Sequence, residues 1–130
     1  MLIDFYAVVI LMNQDDSKRR TKQLGLRVIK LVESLPNTKS GRVIGNQILR
    51  SATSVGANYR AACCGRSKAE FIAKVGISIE EADETMYWLE MLIEAGIMPE
   101  EKLSALHKEA DEIVAILTAS VKTARQNLKK

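Results

Sequence analysis

The sequence predicts an all-α protein, an antiparallel up-down-up-down four-helix bundle with short loops. Apolar residues recur every three or four positions through four long segments, the spacing that places them on one face of a helix. Short connections containing Pro or Gly separate the segments, so consecutive helices should lie side by side and antiparallel. The 130 residues, 47% of them hydrophobic, are enough for one domain with a single core.

Residues 1–15 are predicted to form an N-terminal extension, and residues 16–130 the bundle domain. The extension contains the apolar run Met1–Met12, which is too short to span a membrane and carries Asp4 in place of a basic leader. Two explanations of this run remain open. Either translation starts at Met12, or the run is a short strand or helix that covers a neighbour. No membrane association is expected, and apolar surface exposed here would need a partner.

The first helix is predicted over residues 16–34, because Asp15, Asp16 or Ser17 can cap it and Pro36 ends it. Its core face consists of Leu24, Val28, Leu31 and Leu35. Its exposed side is basic, since three cations lie within about a quarter-turn of one another: Arg20, Arg27 and Lys30. Such a stripe is either a solvated helix face or a surface that contacts phosphates.

The second helix, predicted to begin near Arg42 after a cap at Thr38 or Ser40, sorts its residues into three faces. The core face consists of Ile44, Ile48, Ser51, Val55, Tyr59 and Ala62. The opposite face carries three guanidinium groups, those of Arg42, Arg50 and Arg60. Between them lie Gly45 and Gly56, and glycine in a helix costs about 1 kcal/mol relative to alanine. The two glycines therefore predict a close approach by another backbone, of the same chain or of a second subunit.

The third and fourth helices are predicted from caps and from the strongest periodicity in the chain. Ser67 and Glu70 form an S-x-x-E capping box, Gly96 ends the third helix, and Pro99 fits the first turn of the fourth. The third helix should bury Ile72, Val75, Ile79, Ala82, Met86, Leu89 and Ile93. The fourth should bury Leu103, Leu106, Ala110, Ile113, Leu117, Ser120, Ala124 and Leu128. Trp88 and Leu92 lie off the predicted seam, so they are candidate anchors of a subunit interface, with a core position for Trp88 as the alternative.

The pattern of chemically active residues argues against an enzyme. The single histidine, His107, excludes a bundle di-iron site, and the adjacent Cys63 and Cys64 lack the spacing of a zinc site. Neither a glycine-rich phosphate loop nor a nucleophile elbow is present, and the acidic residues between positions 80 and 84 spread around the helix. We therefore expect no catalytic residues, no metal and no cofactor. The cysteine pattern fits the reducing cytoplasm.

Charge is divided unevenly between the two halves of the chain. Residues 1–66 hold eleven Lys and Arg against four Asp and Glu, a net +7, whereas residues 67–130 hold eight against twelve, a net −4. The basic half can contact phosphates, or it can pair with the acidic half within the bundle or in a neighbouring subunit. No aromatic residues are interleaved with the arginines, which argues against sequence-specific reading of a single strand.

Three segments also resemble a known family: LPNTKSGRVIGNQILRSATSVGANYRAA, SKAEFIAKVGISIEEADETMYWLEMLIEAG and EADEIVAILTASVKTARQN. They look like the bacterial four-helix bundle proteins that include the 23S ribosomal RNA intervening-sequence proteins, over about Leu24 to Asn127. The RSATSVGANYR segment is the specific match. Members also resemble the pentameric accessory protein of diversity-generating retroelements, which works beside a reverse transcriptase and is thought to bind nucleic acid. The resemblance thus implies a homo-oligomer, by analogy a pentamer, with RNA or DNA and a reverse-transcriptase-like protein as candidate partners.

Two hypotheses follow from these patterns. The first is a non-catalytic, nucleic-acid-associated adaptor that presents seven cations to phosphates: Arg20, Arg27, Lys30, Arg42, Arg50, Arg60 and Arg66. The second is a protein-interaction scaffold whose basic face pairs with the acidic hairpin of a neighbouring subunit. In either case the candidate oligomer interface consists of Gly45, Gly56, Trp88 and Leu92.

Overall fold

Four helices, joined by short connections, account for almost all of the described chain. The computed structural model describes the backbone of residues 5–128 and the side chains of residues 13–126. The helices are α1 (Phe5–Glu33), α2 (Lys39–Cys63), α3 (Lys68–Glu94) and α4 (Glu100–Leu128). Each helix packs against its neighbours in sequence, and α1 and α4 meet more sparsely to close the bundle. The predicted all-α, up-down-up-down four-helix bundle is confirmed.

The starts of α2 and α3 and the end of α3 use the predicted caps. Thr38 caps α2, because its hydroxyl accepts a hydrogen bond of 3.0 Å from the Gly41 amide. Ser67 caps α3 in the same way, accepting from the Glu70 amide at 3.1 Å. Gly96 follows the end of α3 with a φ of 70°, a left-handed conformation that glycine adopts without steric cost.

The start of α1 differs from the prediction. A helix beginning at Asp16 was expected, yet α1 begins at Phe5 and passes through the predicted capping residues without interruption. Asp15, Asp16 and Ser17 each cost less than about 1 kcal/mol inside a helix, so none of them ends the helix that begins upstream. The division into residues 1–15 and 16–130 falls inside α1 and stays a prediction. The expectations for residues 1–4, for the side chains of residues 1–12 and for the side chain of Leu128 lie outside the described residues.

The core lies along the bundle axis and is contributed by all four helices. Its largest fully buried side chains include Tyr59, Leu24, Ile48, Leu89, Leu92, Leu103, Ile113 and Leu117. On α2 the six residues predicted for the core face are all buried. On α4 the predicted core face is buried from Leu103 to Leu117, after which Val121 is buried and Ser120 only half-buried.

The buried face of α3 is rotated relative to the predicted seam. Its buried residues are Val75, Ser78, Ala82, Thr85, Leu89 and Leu92. Ile79, Met86 and Ile93, which were expected at the centre, are half-buried on the side toward α4. Two polar residues occupy the central positions because α2 supplies them with partners. Ser78 donates to the Val55 carbonyl at 2.9 Å, and Thr85 bonds to the Ser51 hydroxyl at 3.0 Å.

Glycines bring α1 and α2 close together. A β-carbon placed on Gly56 would lie 3.3 Å from backbone atoms of Thr21 and Lys22, and one on Gly45 would lie 3.3 Å from the Leu35 side chain. Both glycines therefore serve a contact within the chain, the first of the two predicted alternatives.

Over the described residues, no helix is both long and apolar enough to cross a bilayer.

Candidate nucleic-acid interface

The seven predicted cations do not form one surface. Arg20 reaches α4, and Arg27 and Lys30 continue along the same side of α1, where both are exposed. Arg42, Arg50 and Arg60 are exposed on the outer side of α2, away from its core face. Sequence periodicity separates the faces of one helix, whereas the packing of α1 on α2 decides which faces become neighbours.

Arg20 belongs to an ion-pair network between α1 and α4. Its Nε and Nη2 atoms each donate to the Glu109 carboxylate at 2.9 Å, and Nη2 also donates to Glu112 at 2.8 Å. The hydrogen bonds to Glu109 raise the pKa of Arg20 above its already high ordinary value, against the opposing effect of burial. Arg20 is thus committed to a structural contact and is not free to bind a phosphate.

The remaining arginines differ in their surroundings. Arg42 donates to the side-chain oxygen of Asn37 at 2.9 Å, which holds it beside the turn between α1 and α2. The charge of Arg50 acts on Glu81 of α3, although burial and the nearby Glu84 outweigh it and raise the pKa of the Glu81 carboxyl. Arg66 is exposed at the turn between α2 and α3. Each of these three arginines lies apart from the others.

A groove between α1 and α2 is lined by cations that were not predicted to lie together. It has a volume of about 890 Å³, and its basic end consists of Lys18, Lys22 and Arg60, hereafter the basic cluster. Arg19 also lines this end, but it pairs with Asp16 one turn away. None of the three cluster residues forms an ion pair with another described residue. The groove therefore offers three uncompensated positive charges at one place.

Lys18 and Lys22 were missed as members of this site, although the glycines carried the signal. Gly56 lies against the backbone of Thr21 and Lys22, which fixes the register of the two antiparallel helices. One turn further along α2 is Arg60, and one turn back along α1 is Lys18. The glycine contact and the antiparallel arrangement together place all three cations at one end of the groove, whereas the sequence predicted a close approach at Gly56 without identifying its partner.

The other half of the groove is apolar. Leu26 is 44% exposed and Ile29 is 39% exposed, and both line the groove beyond the basic cluster. Its floor is formed by Gly25, Gly56 and Ala57, which have little or no side chain to fill it. An elongated ligand could therefore contact charge at one end of the groove and apolar surface at the other.

The predicted interface residues lie mostly inside the chain. Leu92 is a correction, because it is completely buried in the core and cannot be a surface anchor. Trp88 is half-buried at the edge of the core, where its ring meets Tyr87 edge-on at 4.9 Å between centroids. Its Nε1 atom is buried without an acceptor among the described residues. A core-edge position, one of the two predicted for Trp88, is therefore what this residue occupies.

A second cavity lies at the end of the bundle where residues of α1, the turn between α2 and α3, and the last turns of α4 come together. It has a volume of about 640 Å³, and Tyr59, Cys63 and Phe71 are among its lining residues. Burial raises the pKa of both the Tyr59 phenol and the Cys63 thiol, so both groups stay protonated at neutral pH. Among the described residues, no three His, Cys, Asp or Glu side chains are placed to hold a metal. The Tyr59 phenol and the Cys63 thiol therefore offer neutral contacts, while Asp16, Arg66 and Lys68 bring charges to the lining.

Comparison with known proteins supplies an independent view of the chain. A family model described as 23S rRNA-intervening sequence protein matches residues 15–119. A crystal structure from Bacteroides thetaiotaomicron, described as a protein with unknown function from the S23 ribosomal protein family, is similar with a TM-score of 0.80. It shares 35% sequence identity, over 85% of this chain and 98% of that one. Among curated proteins, none matches the sequence.

Proposed function

Because the chain belongs to the 23S rRNA-intervening sequence protein family, we propose that it is a non-catalytic protein that binds nucleic-acid phosphates through its first helical hairpin. The observation that carries this proposal is the basic cluster, three cations without described acidic partners in one groove. Cations left unpaired on a surface release counterions when they neutralise phosphates, and this release drives binding. The family's name, which refers to an rRNA segment, agrees with that chemistry.

The proposed contact surface differs from the original set of seven cations. Arg20 is left out because Glu109 and Glu112 occupy its donors. Lys18 and Lys22 replace it beside Arg60, and the exposed Arg27, Lys30 and Arg42, which lie on other sides of α1 and α2, add positive charge to the hairpin without lining the groove. The proposal also includes a cytoplasmic homo-oligomer, a pentamer by resemblance, in which several copies of this surface act together on one nucleic acid. A reverse-transcriptase-like protein is the partner that the resemblance adds.

Fluorescence anisotropy with a structured RNA and with duplex DNA, at about 50 and 200 mM salt, tests this proposal. Six phosphate contacts predict a loss of roughly a thousandfold in affinity between the two salt concentrations. The double substitution Lys22→Glu/Arg60→Glu should abolish binding. Its matched control is Lys108→Glu/Lys122→Glu, which changes the net charge equally on the exposed side of α4. Absence of binding at low salt, or equal loss in both variants, would refute the proposal.

A second candidate function is a scaffold in which the basic hairpin of one subunit pairs with the acidic hairpin of the next. It is favoured by the Arg20 network, which already joins the two hairpins within a chain through opposite charges. Exposed acidic residues on α3 remain for a neighbour, among them Glu80, Asp83 and Glu84. In this case Lys22→Glu/Arg60→Glu should dissociate the oligomer in light scattering. If the variant stays oligomeric but no longer binds nucleic acid, the result supports the first function and contradicts the scaffold.

A further inference from the structure

One row of side chains along α1 is charged in its first half and apolar in its second half. Lys18, Lys22, Leu26 and Ile29 follow one another at spacings of four, four and three residues, so they lie in a single line along the groove. The row is about 16 Å long, at 1.5 Å per helical residue. A ligand that fills the groove must therefore carry an anionic part and an apolar part a few ångströms apart.

The opposite wall and the floor leave room for such a ligand. On α2 the wall consists of Arg60 at the basic end and Thr53 toward the apolar end. Gly25, Gly56 and Ala57 line the floor and place little or no side chain in the groove. Arg60 faces the two lysines across the groove, so that an anion held there is contacted from both helices.

A nucleic-acid strand has the required chemistry, with a phosphate on one side of each sugar and a base on the other. In a duplex the bases are stacked and paired inside, so a duplex resting on this hairpin would leave Leu26 and Ile29 uncovered. An unpaired nucleotide can place its phosphate on the basic cluster and its base on the two apolar side chains. Since none of the described residues that line the groove is aromatic, the base would be held by burial rather than by stacking.

We propose that the groove between α1 and α2 binds unpaired nucleotides of RNA or DNA, selecting single-stranded over duplex regions with little regard to base identity. The inference rests on the proposed function, because it assigns a strand state to the same phosphate-binding surface. It predicts that removal of the bases, with the phosphates kept, weakens binding. It also predicts that Leu26 and Ile29 contribute to affinity without affecting its dependence on salt.

The test compares three probes in fluorescence anisotropy at about 50 mM salt: a single strand, its blunt duplex and the same strand carrying abasic sites. The intact strand should bind the full-length protein about tenfold more tightly than either of the others. The variant Leu26→Ser/Ile29→Ser should lose this preference and keep the salt slope. Its control, Val43→Ser/Ile77→Ser, alters apolar side chains that are equally exposed elsewhere, at 53% and 43%, and should keep the preference.

The outcomes separate this inference from the proposed function. Equal affinities for strand and duplex, with a steep salt slope, would refute the nucleotide groove and leave phosphate binding in place. Absence of binding to all three probes would refute the proposed function itself. Binding of an acidic amphipathic peptide that Leu26→Ser/Ile29→Ser abolishes, together with no preference for the single strand, would reassign the groove to a protein partner.

Discussion

Arg20 of α1 and Glu109 of α4 form a bidentate ion pair, with both N–H···O distances at 2.9 Å. The Arg20 and Glu109 side chains are 27% and 22% exposed, so the pair is partly shielded from water. Because α1 and α4 contact each other sparsely elsewhere, this pair is a main link across the open side of the bundle. Its removal should therefore affect the stability of the whole domain.

Arg20→Ala should lower the free energy of unfolding by about 2 kcal/mol, because it removes charge-assisted hydrogen bonds that are only partly solvated. Arg20→Lys should recover part of the loss, since lysine keeps the charge without the planar fork. Urea denaturation followed by circular dichroism measures both. Arg27→Ala, two turns along the same side of α1, is the control and should change stability by less than about 0.5 kcal/mol. Equal effects at the two positions would contradict a special role for Arg20.

The two helical glycines Gly56 and Gly76 should respond to alanine in opposite directions. Gly56→Ala places a β-carbon 3.3 Å from backbone atoms of α1, which cannot rotate away, so the helices must separate slightly. The strain should exceed the gain in helix propensity and cost about 1 kcal/mol. At Gly76 no described atom lies within 4 Å of that position, so Gly76→Ala should stabilise by about 0.5–1 kcal/mol. Thermal unfolding of both variants is the measurement, and a stabilised Gly56→Ala would contradict the close approach.

The buried Ser51–Thr85 hydrogen bond, 3.0 Å long, should show coupling between α2 and α3. Thr85→Val preserves the shape of the side chain and removes this bond, along with the bond from Thr85 to the Glu81 carbonyl. We expect a loss of about 1–2 kcal/mol. Ser51→Ala made in addition should cost less than it does alone, because its partner is already absent. A double-mutant cycle in urea measures the coupling, and strict additivity would show that the two hydroxyls act independently.

Glu81 should make stability fall as pH rises above the ordinary glutamate range. Burial, and then the nearby Glu84, raise its pKa in the folded state, so folding favours the protonated carboxyl. The favourable contribution is complete below the unfolded-state pKa and is lost as pH rises through the folded-state pKa. Glu81→Gln should therefore stabilise at pH 7 by less than about 1 kcal/mol and lose this advantage near pH 4. Glu94→Gln, an exposed carboxylate of α3, is the control for the pH series, and a pH-independent effect of Glu81→Gln would contradict the argument.

The sequence was sufficient for the number and order of the helices and for every face of α2, but not for the start of α1. The core and polar faces of α2 differ strongly in hydrophobicity. Its glycines predicted a close approach by another backbone, which is that of α1. On α3 the apolar periodicity misplaced the buried face, because it predicts that the apolar Ile79 and Met86 are more buried than the polar Ser78 and Thr85. The two hydroxyl residues are buried because α2 offers them a carbonyl and a serine, and a pattern within one helix contains no information about such partners.

The site was less predictable than the fold for the same reason. Arg20 and Arg27 lie on one side of α1, two turns apart, yet only Arg20 lies opposite Glu109, whose position depends on how α4 closes the bundle. Lys22 was not predicted as a site residue, because only the register of α1 against α2 places it beside Arg60. Positions on one helix follow from periodicity, whereas the grouping of charges from two helices follows from their register and separation.

The sparse contact between α1 and α4 has a consequence for how the chain folds and opens. Nearly all helix packing joins neighbours in sequence, so most contacts close short loops and folding should be rapid. The central pair, α2 and α3, is covered on both sides, whereas α1 and α4 each have one well-packed neighbour. Amide protons of α2 and α3 should therefore exchange with solvent most slowly, through global unfolding, while those of α1 and α4 exchange through partial openings of lower free energy. The first and last helices of the bundle are thus the ones that detach most readily.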